Sequence, residues 1–130
     1  MAKYFLDANI ILDLIDSDRG NIEITREFVK EAIVSGSELC TSCDIFTTVY
    51  YVASKKLSSK NIIAELEKLL IFIDVIAIDI DTIKEAMGLM GDKDDFDMLQ
   101  YVCALRSHSD RIVTNDKNFY RGEIVLHALK

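Results

Sequence analysis

The stretch Lys3-Tyr4-Phe5-Leu6-Asp7-Ala8-Asn9 decides how the rest of the chain is read. KYFL is short and apolar enough for a central strand. Asp7-Ala8-Asn9 then leads into IILDLI at 10–15, with Asp7 or Asn9 placed to cap a helix. A carboxylate just past the end of a buried strand is an expensive place for charge unless something positive sits beside it. Two further aspartates stand in comparable settings: Asp97 in the helical stretch DDFDMLQYVCAL, and Asp116 after the apolar run of RIVTNDKNF. Three acids spread along the chain, each beside a sheet or core element, point to a divalent metal site and hydrolytic chemistry.

Working outward, the pattern alternates short apolar runs with amphipathic segments. Ile24, Phe28, Ala32 and Ile33 recur at helical spacing within 22–34, and Gly36 ends that helix. Residues 38–41 read as a second strand, followed by a helix over 44–55 that starts near Ser42 or Cys43. Ser58-Ser59 breaks the chain before a helix over 61–70, and IDVIAI at 73–78 reads as a third strand. Asp79 or Asp81 caps a helix through Met87, Gly88 and Gly91 bracket a connection, and a longer helix runs over 94–107. Residues 111–114 form a strand, a helical turn follows around 117–120, and 123–125 make a final edge strand.

Strands alternating with helices imply an α/β fold: a three-layer α/β/α sandwich around a mainly parallel, roughly five-stranded sheet, forming one domain over residues 1–130. Such sheets place ligand sites outside the carboxyl ends of their strands. Asp7 and Asp116 follow strands directly, so both fall on that edge, and Asp97 near the start of its helix can face it too.

Composition agrees with a cored, soluble chain. Of its 130 residues, 50% are hydrophobic, Pro is absent and Gly numbers 5, which favours helices and short turns. No run resembles a signal peptide or a membrane span, so a cytoplasmic location is expected. Cys40, Cys43 and Cys103 are an odd number, and the CxxC spacing of the first two lacks a second pair, so structural thiols are expected. The net charge of −7 argues against a passive electrostatic binder of nucleic acid. It leaves room for a metal-dependent nuclease, in which a cation mediates between carboxylates and phosphate. Lys55, Lys56, Lys60 and Lys68 offer either a local positive patch or a solvated helix face.

The plain alternative for Asp7 is a helix cap, and for Asp116 an Asx turn after Thr114-Asn115. Asp94 lies three residues before Asp97 and can share its side of the helix; the alternative is a solvated acidic first turn suited to the helix dipole. Thr114 and Asn9 are candidates to hold a carboxylate in one rotamer, or else to serve only their own backbone. Phe46, Val49, Tyr50 and Tyr51 read as an apolar helix face or a subunit contact.

Taken in order, these residues resemble the PIN-domain ribonucleases that serve as toxins of bacterial and archaeal toxin–antitoxin pairs. The likeness rests on DxN at Asp7-Ala8-Asn9, on the acidic helix from Asp94 to Leu105 and on T-x-D-x-x-F at Thr114, Asp116 and Phe119. It spans essentially the whole chain. The resemblance implies Mg2+- or Mn2+-dependent hydrolysis of RNA, with Asp7, Asp97 and Asp116 as metal ligands and Asp94 assisting. Water would attack in line with the departing 3′ oxygen, leaving 5′-phosphate and 3′-hydroxyl ends. It also implies a small antitoxin partner and a homodimer, with no membrane association.

One position departs from the pattern. The family usually carries a further acid early in its second conserved helix, where FTTVYYVASK places Thr48; Asp44, one turn upstream, is the candidate to compensate. A catalytically weak RNA-binding or regulatory module and a DNA-directed metal nuclease therefore stand as alternatives. A haloacid-dehalogenase-type phosphatase would need a second Asp where Asn9 stands.

Overall fold

The computed structural model describes residues 2–91 and 97–129. Five strands form one sheet in the order β3-β2-β1-β4-β5: β1 (Lys3–Leu6), β2 (Glu38–Ser42), β3 (Ile73–Ile76), β4 (Arg111–Val113) and β5 (Val125–His127). Every neighbouring pair is parallel. The strand at the centre is the one that opens the chain. Phe5 and Leu6 point to opposite faces of the pleat, yet both are wholly buried, as expected for a parallel sheet covered on two sides.

The helices are α1 (Ala8–Ile15), α2 (Ile22–Val34), α3 (Cys43–Ala53), α4 (Ser59–Leu69), α5 (Ile80–Met90) and α6 (Asp97–Arg106), with a 3-10 turn at Ser17–Arg19. Two of them lie inside the packing. Residues 10–15 of α1 are all buried, as are residues 98–104 of α6, so each is covered all round rather than along one stripe. α1 packs on α2, α3 and α4, whereas α6 packs on α5 and touches β2 and β4. This is the three-layer α/β arrangement expected from the alternating pattern.

Side-chain caps set the helix starts. Asp7 caps α1, Ser42 caps α3, Ser58 caps α4 and Asp79 caps α5. Asp79 Oδ1 accepts from both the amide and the hydroxyl of Thr82, and those two bonds hold its carboxyl below the ordinary value. Several boundaries differ from expectation, most by one or two residues, and three of the differences have an evident basis. Gly88 lies within α5, which continues to Met90 because nothing near Gly88 requires a non-helical backbone. The turn at 117–119 is irregular rather than helical. The last strand begins at Val125, because the pairing with β4 places Val125 opposite Arg111 and His127 opposite Val113. The start expected for α6, at residue 94, lies outside the described residues.

The three thiols are free: Cys40 and Cys103 are buried and Cys43 is exposed. Burial pushes the Cys103 thiol up to about 12, as suits a packing residue.

The loop before β5 is pinned by a tyrosine. Tyr101 of α6 accepts a hydrogen bond from the Glu123 amide at 2.8 Å, and its ring meets Tyr120 edge-on with centroids 4.8 Å apart. Gly122 passes so close that a Cβ there would overlap the Tyr101 hydroxyl and the Tyr120 ring. Gly122→Ala should therefore lower unfolding stability by about 1–3 kcal/mol in urea titrations. The loss should shrink in a Tyr101→Ala background, where the overlap with Tyr101 is gone and only that with Tyr120 remains.

Candidate metal and nucleic-acid site

The chain leaves β1 at Asp7, whose amide still donates to Val113 of β4 at 3.0 Å, so the residue is locked to the sheet's edge before the helix begins. Its Oδ1 accepts from the Ala8 amide at 2.8 Å, the bond of an N-cap. The other oxygen does something a cap does not require. Oδ2 accepts from the Thr114 hydroxyl at 2.7 Å and from Asn9 Nδ2 at 3.1 Å. Asp7 is thus both a cap and the centre of a side-chain network.

Thr114, the first residue after β4, is the hub of that network. Its hydroxyl donates to Asp7 and accepts from Asn9 Nδ2 and from the Asp116 amide, each at 3.1 Å. One donor and two acceptor positions are then all in use. Asn9 closes the circuit, its Oδ1 accepting from the Asn115 amide at 3.0 Å. Asn115 in turn accepts from the Leu129 amide at 2.8 Å, tying in the segment beyond β5. Asp116 Oδ1 accepts from the Asn118 amide at 2.9 Å, which is the Asx turn weighed above. Its other oxygen is left out of that turn, and the residue is half-buried.

Burial pushes the Asp7 carboxyl above its ordinary value of 3.8, against the bonds from Thr114, Ala8 and Asn9, and the negative charge of Asp116 pushes it further. Two carboxylates within electrostatic reach, one of them out of water, form a site that favours a cation. The oxygen-only donors suit a hard divalent ion such as Mg2+.

Asp97 opens α6, and topology sets its position. α6 runs into the N-terminal end of β4, so its own N-terminus lies toward the carboxyl edge of the sheet. Gln100, one turn along, fixes that end. Its Oε1 accepts from Ser42 at the end of β2 at 2.6 Å, and its Nε2 donates to Asp44 Oδ2 at 3.0 Å. Asp97 is half-buried, with Oδ2 shielded from solvent. Asp94 lies outside the described residues. Among the described residues, no three His, Cys, Asp or Glu side chains are gathered into a group able to hold a metal by themselves. Asp7 feels the charge of Asp116.

Asp44 is engaged by Gln100 in the first turn of α3. Thr48, one turn further, is exposed and its hydroxyl reaches only the Asp44 carbonyl, at 3.5 Å. Of the lysines, Lys68 pairs with Glu65 and Lys55 lies over the Tyr51 ring.

Asp13 was not singled out from sequence, and Gln100 entered only as part of the acidic-helix pattern, with no role assigned. Gln100 has the one signal that was available, a polar residue in the run MLQYVCAL whose neighbours are all core types. Asp13 gave the same signal inside IILDLI. It is buried and takes a 2.7 Å bond from Arg19 Nε. A cavity of about 310 Å³ opens there, lined by Asn9, Asp13, Arg19, Asn21, Asn115 and Asp116.

Comparison with known proteins agrees with this geometry. The profile of the PIN domain matches residues 4–124. Ribonuclease VapC1 of Aquifex aeolicus is 34% identical over 126 residues, covering 94% of this chain and 87% of the relative. The fold is similar to that in VapBC2 of Rickettsia felis bound to a promoter DNA fragment, with a TM-score of 0.77, 17% identity and coverage of 98% and 99%. It is also similar to VapC20 of Mycobacterium tuberculosis, a sarcin-ricin loop cleaving toxin, with a TM-score of 0.72, 14% identity and coverage of 89% and 92%. DNA-bound VapBC of Salmonella typhimurium gives a TM-score of 0.71 at 19% identity over the full length of both chains.

The raised Asp7 carboxyl sets a pH dependence. A folded-state value above the unfolded one means that the folded chain binds the extra proton. Asp7 therefore lowers stability progressively as pH rises from about 3.8 through its raised folded value, and the loss persists above that range. Compared with Asp7→Asn in urea unfolding at stepped pH without divalent ions, the wild type should lose stability across this window. Adding Mg2+ at neutral pH should recover part of the difference. Parallel pH profiles for the two proteins would refute the assignment.

Proposed function

The chain belongs to the PIN-domain family, and from that premise we propose that it is a metal-dependent endoribonuclease acting as the toxin of a toxin–antitoxin pair in the cytoplasm. The observation that carries this reading is the pair of coupled acids at the carboxyl edge of the sheet. Asp7 is withdrawn from water, held by Thr114 and Asn9 in one orientation, and repelled by Asp116. A fold that keeps a carboxylate in such a place gives up stability unless a cation occupies the edge.

In this reading Asp7, Asp97 and Asp116 hold Mg2+ or Mn2+, with Asp94 assisting. The ion, when bound, supplies Lewis-acid activation of water and neutralises charge on the phosphodiester. The chain's own residues do the positioning. Thr114 and Asn9 fix the Asp7 carboxylate so that its orientation is set before substrate arrives. The Asx turn at Asp116 directs one oxygen into the backbone and leaves the other for the edge. Gln100 anchors the first turn of α6, and with it Asp97, against β2 and α3. RNA is the substrate, and attack on the phosphorus with departure of the 3′ oxygen leaves a 5′-phosphate.

The partner reading draws on the neighbours, several of which are toxin–antitoxin complexes. A groove of about 440 Å³ runs between α3 and α4, lined chiefly by Phe46, Tyr50, Ile63, Leu66 and Leu70. Tyr50, Ile63 and Leu70 are 38%, 46% and 52% exposed, an apolar surface that an antitoxin helix would cover. A homodimer belongs to the same proposal.

A second reading has its own observation: Thr48 supplies no carboxylate, and Asp44 is committed to Gln100. Fewer acids around the ion mean weaker metal binding, down to a protein that holds RNA without cutting it.

Purified protein should cleave RNA only with Mg2+ or Mn2+, and Asp7→Asn should reduce the rate by at least about 100-fold with an unchanged circular dichroism spectrum. Full activity in the purified variant would defeat the ribonuclease reading. Because Thr48 is exposed, Thr48→Glu should fold normally. It should raise cleavage if the missing carboxylate limits the wild type, and an unchanged rate would show that this position is not limiting.

A further inference from the structure

Asp13 is the anomaly of α1. Its side chain is 2% exposed among the apolar residues 10–15, and its partner Arg19 lies only six residues on. The chain returns through the 3-10 turn Ser17–Arg19, which Asp16 caps and Gly20 ends in the left-handed region at φ +83°. That turn brings Arg19 Nε to 2.7 Å from Asp13 Oδ1. The pair is lopsided, since the Arg19 side chain keeps 32% of its exposure while Asp13 is sealed. A guanidinium presents five N–H donors in a rigid fork. Among the described residues only the Nε donor of Arg19 is used, so both terminal nitrogens remain for a ligand.

Arg19 lines the polar cavity that Asn9 and Asp116, two members of the carboxylate site, also line. Its volume of about 310 Å³ is about ten times the share of one water in the liquid, enough for a phosphodiester group. A chain of net charge −7 repels RNA, and a phosphate nearing Asp116 meets that repulsion at close range. Planar, doubly donating recognition of phosphate is what a fixed guanidinium provides and a lysine does not.

We propose that Arg19 binds an RNA backbone phosphate adjacent to the scissile one, in the cavity beside Asp116, and that Asp13 is the positioning residue that locks its guanidinium. This rests on the ribonuclease reading. The rival account is that Arg19 only neutralises Asp13.

Arg19→Met alone would strand a buried carboxylate and destabilise the fold, so the test uses Asp13→Leu/Arg19→Met, which replaces the pair with apolar groups and leaves net charge unchanged. Arg19→Lys is the charge-retaining control. Binding is followed by anisotropy of a labelled single-stranded RNA in EDTA at stepped salt, and cleavage by steady-state kinetics in Mn2+. The double variant should show a salt slope shallower by about 0.7, the value for one lost phosphate contact on a single strand. Its KM should rise about tenfold or more, as for a lost hydrogen bond to a charged group, with kcat little changed. Arg19→Lys should restore the slope but only part of the KM. A double variant that folds with wild-type slope and KM would overturn the inference alone. Wild-type protein that neither binds nor cuts RNA would overturn the ribonuclease reading and this inference with it.

Discussion

A single buried carboxylate organises this molecule. Asp7 closes the central strand, starts the first helix, and reaches across to the residue that follows the neighbouring strand. Those connections join residues 107 apart in sequence. Because β1 sits in the middle of the sheet, whatever is fixed at its carboxyl end is fixed relative to both halves of the fold. The arrangement carries a standing electrostatic penalty, since burial and Asp116 both oppose ionisation of Asp7. Thr114, Asn9 and the Ala8 amide offset only part of it. A fold can retain such a site when the strain is discharged by a ligand, which is why an unfavourable carboxylate says more about chemistry than a comfortable one.

The same physics distinguishes Asp7, the N-cap of α1, from Asp13 within that helix. Asp13 has a fixed guanidinium beside it, so its charge is answered within the chain. Asp7 has hydrogen-bond donors but no cation recorded against it among the described residues. The answered acid is the one proposed to position Arg19, and the unanswered one belongs to the metal reading. Asp13 and Arg19 line one cavity with Asn9 and Asp116, the partners of Asp7. In the ribonuclease reading proposed above, the overall negative charge works against association with a polyanion, and a cation beside Asp116 offsets it locally.

The departure at Thr48 gains meaning from its surroundings. Asp44 was the sequence candidate to replace the absent acid, yet its carboxylate is occupied by Gln100, which also holds Ser42. The interaction serves helix placement, keeping α6 against the end of β2 and the start of α3. That bond engages Oδ2 of an exposed side chain. Position along a helix showed which side Asp44 shares with Thr48, but only the partner from a distant helix showed what Asp44 is used for.

By itself, the sequence determined the alternation of strands and helices, the opening strand, pairs of candidate caps that included Asp7, Ser42 and Asp79, the break at Ser58-Ser59, and the acids worth watching, because each is a local matter of periodicity or of an unsatisfied helix end. It did not fix the end of α5, where Gly88 is tolerated inside the helix, or the start of β5, where pairing with β4 outweighs local preference. Tertiary structure alone decided that Thr114 is the hub of the Asp7 network, that Gln100 secures Asp44, and that Asp13 answers Arg19 beside Asp116. Hydrogen bonds between residues such as Asp7 and Thr114, or Asp44 and Gln100, leave no periodic trace, since their donors and acceptors meet only after the central strand has gathered its neighbours.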